Sequence, residues 1–110
     1  MNDQVSPAAA TPAAIRLLAD QVLARIPALL DAAGKFLTEV QQQKLDSHVL
    51  AMARRSLTGE GLPDFDKSLF DEISDTTRRL SAAVVALFGN LPEEEALLLS
   101  IHFEMAKSKA

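Results

Sequence analysis

The sequence predicts an all-α fold, read along the chain as a bundle of five helices. Three observations carry that reading. Leucine and alanine fill 35 of the 53 apolar positions, isoleucine and valine only 10, and neither Tyr nor Trp occurs. Alanine and straight-chain residues lose little freedom in a helix, and the residue types that favour sheets are scarce. Apolar residues also recur at three- and four-residue steps along most of the chain. Finally, 110 residues with 48% apolar content suit one modest core.

Residues 1–12, MNDQVSPAAATP, hold two prolines and no periodic pattern, so a disordered arm is expected ahead of a single domain over 13–110. From Ala13, Ile15, Leu18, Val22, Ile26 and Leu29 mark an amphipathic helix to about Ala33. Pro27 predicts a kink or break near Arg25, and Gly34 suits the stop. Thr38-Glu39-Val40-Gln41 fits a capping box for a second helix reaching about Leu57, with Leu45, His48, Val49, Met52 and Ser56 on its inner stripe. Gly59 to Asp64 reads as a loop. Asp66 is suited to cap a short third helix with Leu69, Phe70 and Ile73 inward, and Ser74 or Asp75 a fourth from about Thr76 to Phe88. An unbroken helix over 66–88 is the alternative. The fourth helix turns Leu80, Val84 and Leu87 inward, and Gly89-Asn90 ends it. Pro92 fits the first turn of a last helix, with Glu93, Glu94 and Glu95 at its positive end and Lys107 and Lys109 at the other. Its expected stripe is Leu98, Ile101 and Met105, with His102 inside it.

Composition excludes several functions. The absence of cysteine removes disulfides, thiolate metal sites and a cysteine nucleophile. A net charge of −4 argues against direct nucleic-acid binding. No apolar run approaches a membrane helix and no secretory signal is evident, so a cytoplasmic protein with no membrane association is expected.

The two histidines, His48 and His102, carry most of the chemical information. Each sits within the apolar stripe of a long helix. Packed core histidines, a metal pair, a general base and a phosphoacceptor are the readings open to them. Two imidazoles alone do not close a tetrahedral metal site, and no Gly-x-Ser-x-Gly nucleophile motif is present. Neither a metal site, a cofactor nor an enzyme is therefore expected. A phosphoacceptor needs a reachable imidazole that is neutral near pH 7, which histidine's ordinary pKa permits.

Lys44 to Arg55, which contains His48, and Leu91 to Phe103, which contains His102, resemble the two histidine motifs of the PTS regulation domain (PRD). In that family the first motif pairs a histidine with an arginine two turns on, matched by His48 and Arg55. The second sets an acidic residue seven positions before a histidine, matched by Glu95 and His102. The resemblance spans about residues 13–108. It implies a five-helix bundle that dimerises, phosphorylation of one or both of His48 and His102 by HPr or an enzyme II B subunit, and Arg55 as the phosphate-supporting cation. Family regulators join this domain to a nucleic-acid-binding module. Here the arm is too short and too neutral for one, so a stand-alone domain acting on transcription through protein contacts is expected. The charges near each histidine favour His48, which shares a face with Arg55, whereas His102 has Glu95 and Glu104 nearby in sequence. Leu97, Leu98 and Leu99 span too wide an arc for one core, so a partner or another helix should cover some of them, and a homodimer is expected. The rival readings are a structural interaction module with silent histidines and a two-component histidine phosphotransfer bundle.

Overall fold

Side chains that accept hydrogen bonds from their own first turn set most helix starts in this chain. The computed structural model describes residues 10–108. Residues 1–9 of the expected arm, Lys109, and the side chains of Leu69 and Ser108 lie outside what is described. α1 (Pro12–Leu23) begins behind Thr11, whose hydroxyl accepts from the Ala14 amide at 3.1 Å. The helix breaks at Ala24 and Arg25, and α2 (Ile26–Ala32) follows with Pro27 in its first turn, where no intrahelical donor is missed. Gly34 then takes a positive φ of 70°, and the chain turns into β1 (Lys35–Phe36).

α3 (Glu39–Thr58) starts with the complete capping box. The Thr38 hydroxyl accepts from the Gln41 amide at 3.2 Å, and the Gln41 side-chain oxygen accepts from the Thr38 amide at 3.0 Å. It stops at Gly59, whose φ of 78° closes the last turn. α4 (Asp75–Val85) begins behind Ser74, whose hydroxyl accepts from the Thr77 amide at 3.2 Å. α5 (Glu94–Glu104) follows Pro92, and β2 (Lys107–Ser108) pairs antiparallel with β1, Phe36 opposite Lys107.

The all-α class stands, but the expected set of five helices does not. Among the described residues, four α-helices of eleven residues or more carry the packing, and α2 is a two-turn piece split from the expected first helix. The expected third helix is only a 3-10 turn, Lys67–Phe70, capped by Asp66. A segment this short cannot offset the cost of starting a helix, and Ser74 opens a new helix four residues later. The turn is held from outside. Arg78 on α4 donates to the carbonyls of Phe70 (2.6 Å) and Ile73 (3.1 Å). The unbroken helix over 66–88 is likewise excluded. α5 ends at Glu104, so Lys107 lies in the ribbon rather than in a last helical turn.

α3 packs against α1 and α5, α5 also packs against α4, and α2 packs against α4. The core at their junction includes Ile26, Leu45, Val49, Met52, Val84, Leu99 and Phe103. Full burial of each such side chain stabilises the fold by about 1.5–3 kcal/mol. On α3 the expected stripe is the buried one, with Ala53 added and Ser56 at its edge, where its hydroxyl donates to the Gly89 carbonyl at 2.6 Å. On α4 the inner face is Thr77, Leu80, Ser81 and Val84, with Leu87 half-buried.

The inner face of α5 differs from the expected one. Glu95, Leu99, Ser100 and Phe103 are buried, whereas Ile101 and Met105 are 44% and 60% exposed. Residues 97–101 are apolar on nearly every side, so hydropathy alone does not orient this helix. A buried carboxylate does, as described next. Of the three consecutive leucines, Leu99 is buried and Leu97 and Leu98 are half-buried.

Candidate functional site

His48 and His102 meet where α3 crosses α5. Leu45, Val49 and Met52 anchor that face of α3 in the core, which holds the intervening His48 against α5. Leu99 and Phe103 do the same for His102 from the other side. The ring centroids are 4.8 Å apart and the planes are inclined at 40°. Both imidazoles are half-buried. The Nε2 atom of His48 is fully shielded and has no hydrogen-bond partner.

Burial pushes the His48 pKa from 6.5 down to about 4, helped by the positive charges of His102 and Arg55 and opposed by Glu95. His102 is also lowered, first by burial and then by Lys44. Both rings are therefore neutral at pH 7, the state in which a ring nitrogen has a free lone pair.

Arg55 lies two helical turns after His48 on the same side of α3. Its guanidinium grips Glu95 with two parallel hydrogen bonds, Nε to Oε2 at 2.6 Å and Nη2 to Oε1 at 2.7 Å. Glu95 is wholly buried, and its hydrogen bond raises the Arg55 pKa further above its ordinary value. This pair explains the orientation of α5. A carboxylate in the first turn must reach the α3 guanidinium, and that turns Leu99 and Phe103 inward with it.

The structure brings His48 and His102 together, which the sequence did not show, and keeps Arg55 on the His48 side of α3, but it reassigns the surrounding charges. Glu95 acts on Arg55 and His48, not on His102. Glu104 accepts from the Ser74 hydroxyl at 3.1 Å on the α4 side of α5. The acidic surroundings expected for His102 are not found: Lys44 is the charge that acts on it, while Arg55 acts on His48 as expected. Lys44 was missed from sequence, although its place one turn before His48 on the same face was a usable signal. Among the described residues no group of three or more His, Cys, Asp or Glu could hold a metal ion.

No helix among the described residues is long and apolar enough to cross a membrane. The fold has a counterpart among solved structures. The chain is similar to the crystal structure of a PRD-containing transcription regulator from Lactobacillus casei ATCC 334. The two are 37% identical, with 84% of this chain and 82% of that chain covered and a TM-score of 0.78. No family model and no curated protein matches the chain. At this identity and coverage, the chain belongs to the PTS regulation domain family.

Proposed function

We propose that this chain is a cytoplasmic regulatory module controlled by phosphorylation of His48 and His102 through the sugar phosphotransferase system. The observation that carries this reading is the pair itself: two neutral imidazoles 4.8 Å apart at one helix crossing, with a cation acting on each. In the transfer step a bond forms from phosphorus to a ring nitrogen while the donor's bond to phosphorus breaks. The donor leaves with that electron pair and takes up the imidazole proton. HPr or an enzyme II B subunit is the donor. The chain itself is not an enzyme; it accepts the group and changes its packing. A phosphoryl group brings up to about two negative charges to a half-buried imidazole, where that charge is costly unless a cation meets it.

A second copy of the chain is the proposed immediate partner. Val40, Ile101 and Met105 are apolar and exposed on the α3 and α5 segments that carry the histidines, and Phe36 is exposed on the adjoining ribbon. A homodimer through this face would place the imidazoles beside the interface, where added charge alters association. Transcription of a carbohydrate-utilisation operon is then affected through contacts with a further protein, consistent with the relative being a transcription regulator.

Incubation with phosphoenolpyruvate, enzyme I, HPr and a cognate B subunit, followed by phosphohistidine mapping, tests the reading. Label is expected at His102 first, because Nε2 of His48 is shielded. His48→Ala and His102→Ala should each remove one site. No label with any donor would favour a structural module with silent histidines.

A further inference from the structure

A buried ion pair holds two elements together only while both charges face each other. Here it holds α3 to the first turn of α5. Glu95 has 0% side-chain exposure and Arg55 18%, and both carboxylate oxygens are occupied by the same guanidinium. His48 sits two turns back along the Arg55 face of α3, with its Nε2 closed in and no hydrogen bond made there.

We propose that Glu95 and a phosphoryl group on His48 compete for Arg55, so that phosphorylation of His48 opens the ion pair and releases the first turn of α5. This rests on the reading of His48 as a phosphoacceptor given above. A phosphoryl group carries up to about two negative charges against one for the carboxylate, and the guanidinium fork fits either partner. Glu95 holds the Nε and Nη2 edge of Arg55, so competition means that the phosphoryl group takes that same edge; simultaneous binding through Nη1 would leave exchange at the start of α5 unchanged. Without Arg55, Glu95 is an unpaired buried charge, which must reach water or take up a proton. Either outcome moves the start of α5.

The loop after α3 stands next to that movement. Arg55 lines one surface depression with Gly61, Leu62 and Pro63, and Glu94, beside Glu95, lines the neighbouring one with Leu62 and Pro63. Lys67 at the far end of the loop is paired with Glu94 at 3.1 Å. Loss of the Arg55–Glu95 pair therefore disturbs the loop over residues 60–67 from both sides.

Potassium phosphoramidate tests this without any donor protein. Its P–N bond breaks as the phosphorus–imidazole bond forms, and ammonia leaves with the imidazole proton. In a His102→Gln chain only His48 is available. Modification should speed hydrogen exchange at amides 95–99 roughly tenfold and shift the Arg55 Nε–H resonance. In a Glu95→Gln, His102→Gln chain the same modification should leave exchange at 95–99 unchanged. Should the variants fold poorly, the doubly modified wild-type chain is read at the same amides and must show the same acceleration. Unchanged exchange and an unmoved Arg55 resonance in modified protein would overturn the proposal. So would refusal of His48 to take the label. If phosphoramidate opens the pair but no phosphotransferase donor labels the chain, the regulatory reading fails and the competition stands.

Discussion

Acidification should weaken this fold through His48 before its carboxylates account for the loss. The ring is neutral in the fold with a pKa of about 4, against 6.5 when exposed. Below pH 6.5 the unfolded chain takes up a proton that the folded chain refuses, so stability falls as pH drops from 6.5 toward 4. The displacement corresponds to about 3 kcal/mol at most, and to about 2 kcal/mol once solvent screening of a half-buried ring is allowed for. The groups that face His48 are His102, Arg55 and Glu95, so the comparison must leave them in place. Urea unfolding of the wild-type chain and of His48→Gln at pH 7, 6, 5 and 4 isolates the effect, because the carboxylates titrate alike in both. The wild-type chain should lose about 2 kcal/mol more than the variant across that range. Parallel losses, or an imidazole titration of His48 centred at 6.5 or above, would refute the reasoning.

Three further outcomes are expected. Arg55→Ala should destabilise the fold by about 3–5 kcal/mol in urea melts, because Glu95 is left charged and buried, whereas Arg55→Met with Glu95→Leu should recover most of that loss. Thr38→Ala removes one half of the capping box of α3 and should cost about 1 kcal/mol, seen as a lower thermal midpoint with the groove chemistry unchanged. In sedimentation equilibrium the wild-type chain should run as a dimer, and Ile101→Asp with Met105→Asp as a monomer of folded secondary structure. A wild-type mass of 11.9 kDa at high micromolar concentration would count against the dimer.

Local signals in the sequence were legible where a single side chain decides the backbone. Thr38 with Gln41, Ser74 and Pro27 each act within one turn, and the structure follows them. The face of α3 was legible because polar and apolar residues separate cleanly around it. α5 was not, because its middle is apolar on almost all sides and its orientation is chosen by an ion pair to a residue forty positions away. No periodicity encodes that distance. The two-residue ribbon joining Phe36 to Lys107 was illegible for the same reason: two residues carry no alternation, and the pairing spans most of the chain. His48 and His102 were identified from their stripes. Their meeting follows from the packing of α3 on α5; the place of Lys44 on the His48 face was legible, but its action on His102 follows only from that packing.

The hold of Arg78 on the short turn before α4 sets an order of assembly. The carbonyls of Phe70 and Ile73 are both satisfied by a guanidinium presented from the first turn of α4. Until that helix exists, residues 67–73 have one turn of weak local bonding and nothing to hold its open end. They are therefore expected to order only after α4 has formed. Phe70, although buried in the native state, should show a kinetic signature close to that of the unfolded chain in the transition state, and α4 substitutions the opposite. By the same dependence this stretch should be the first to detach under mild denaturant, ahead of any loss at the His48–His102 contact.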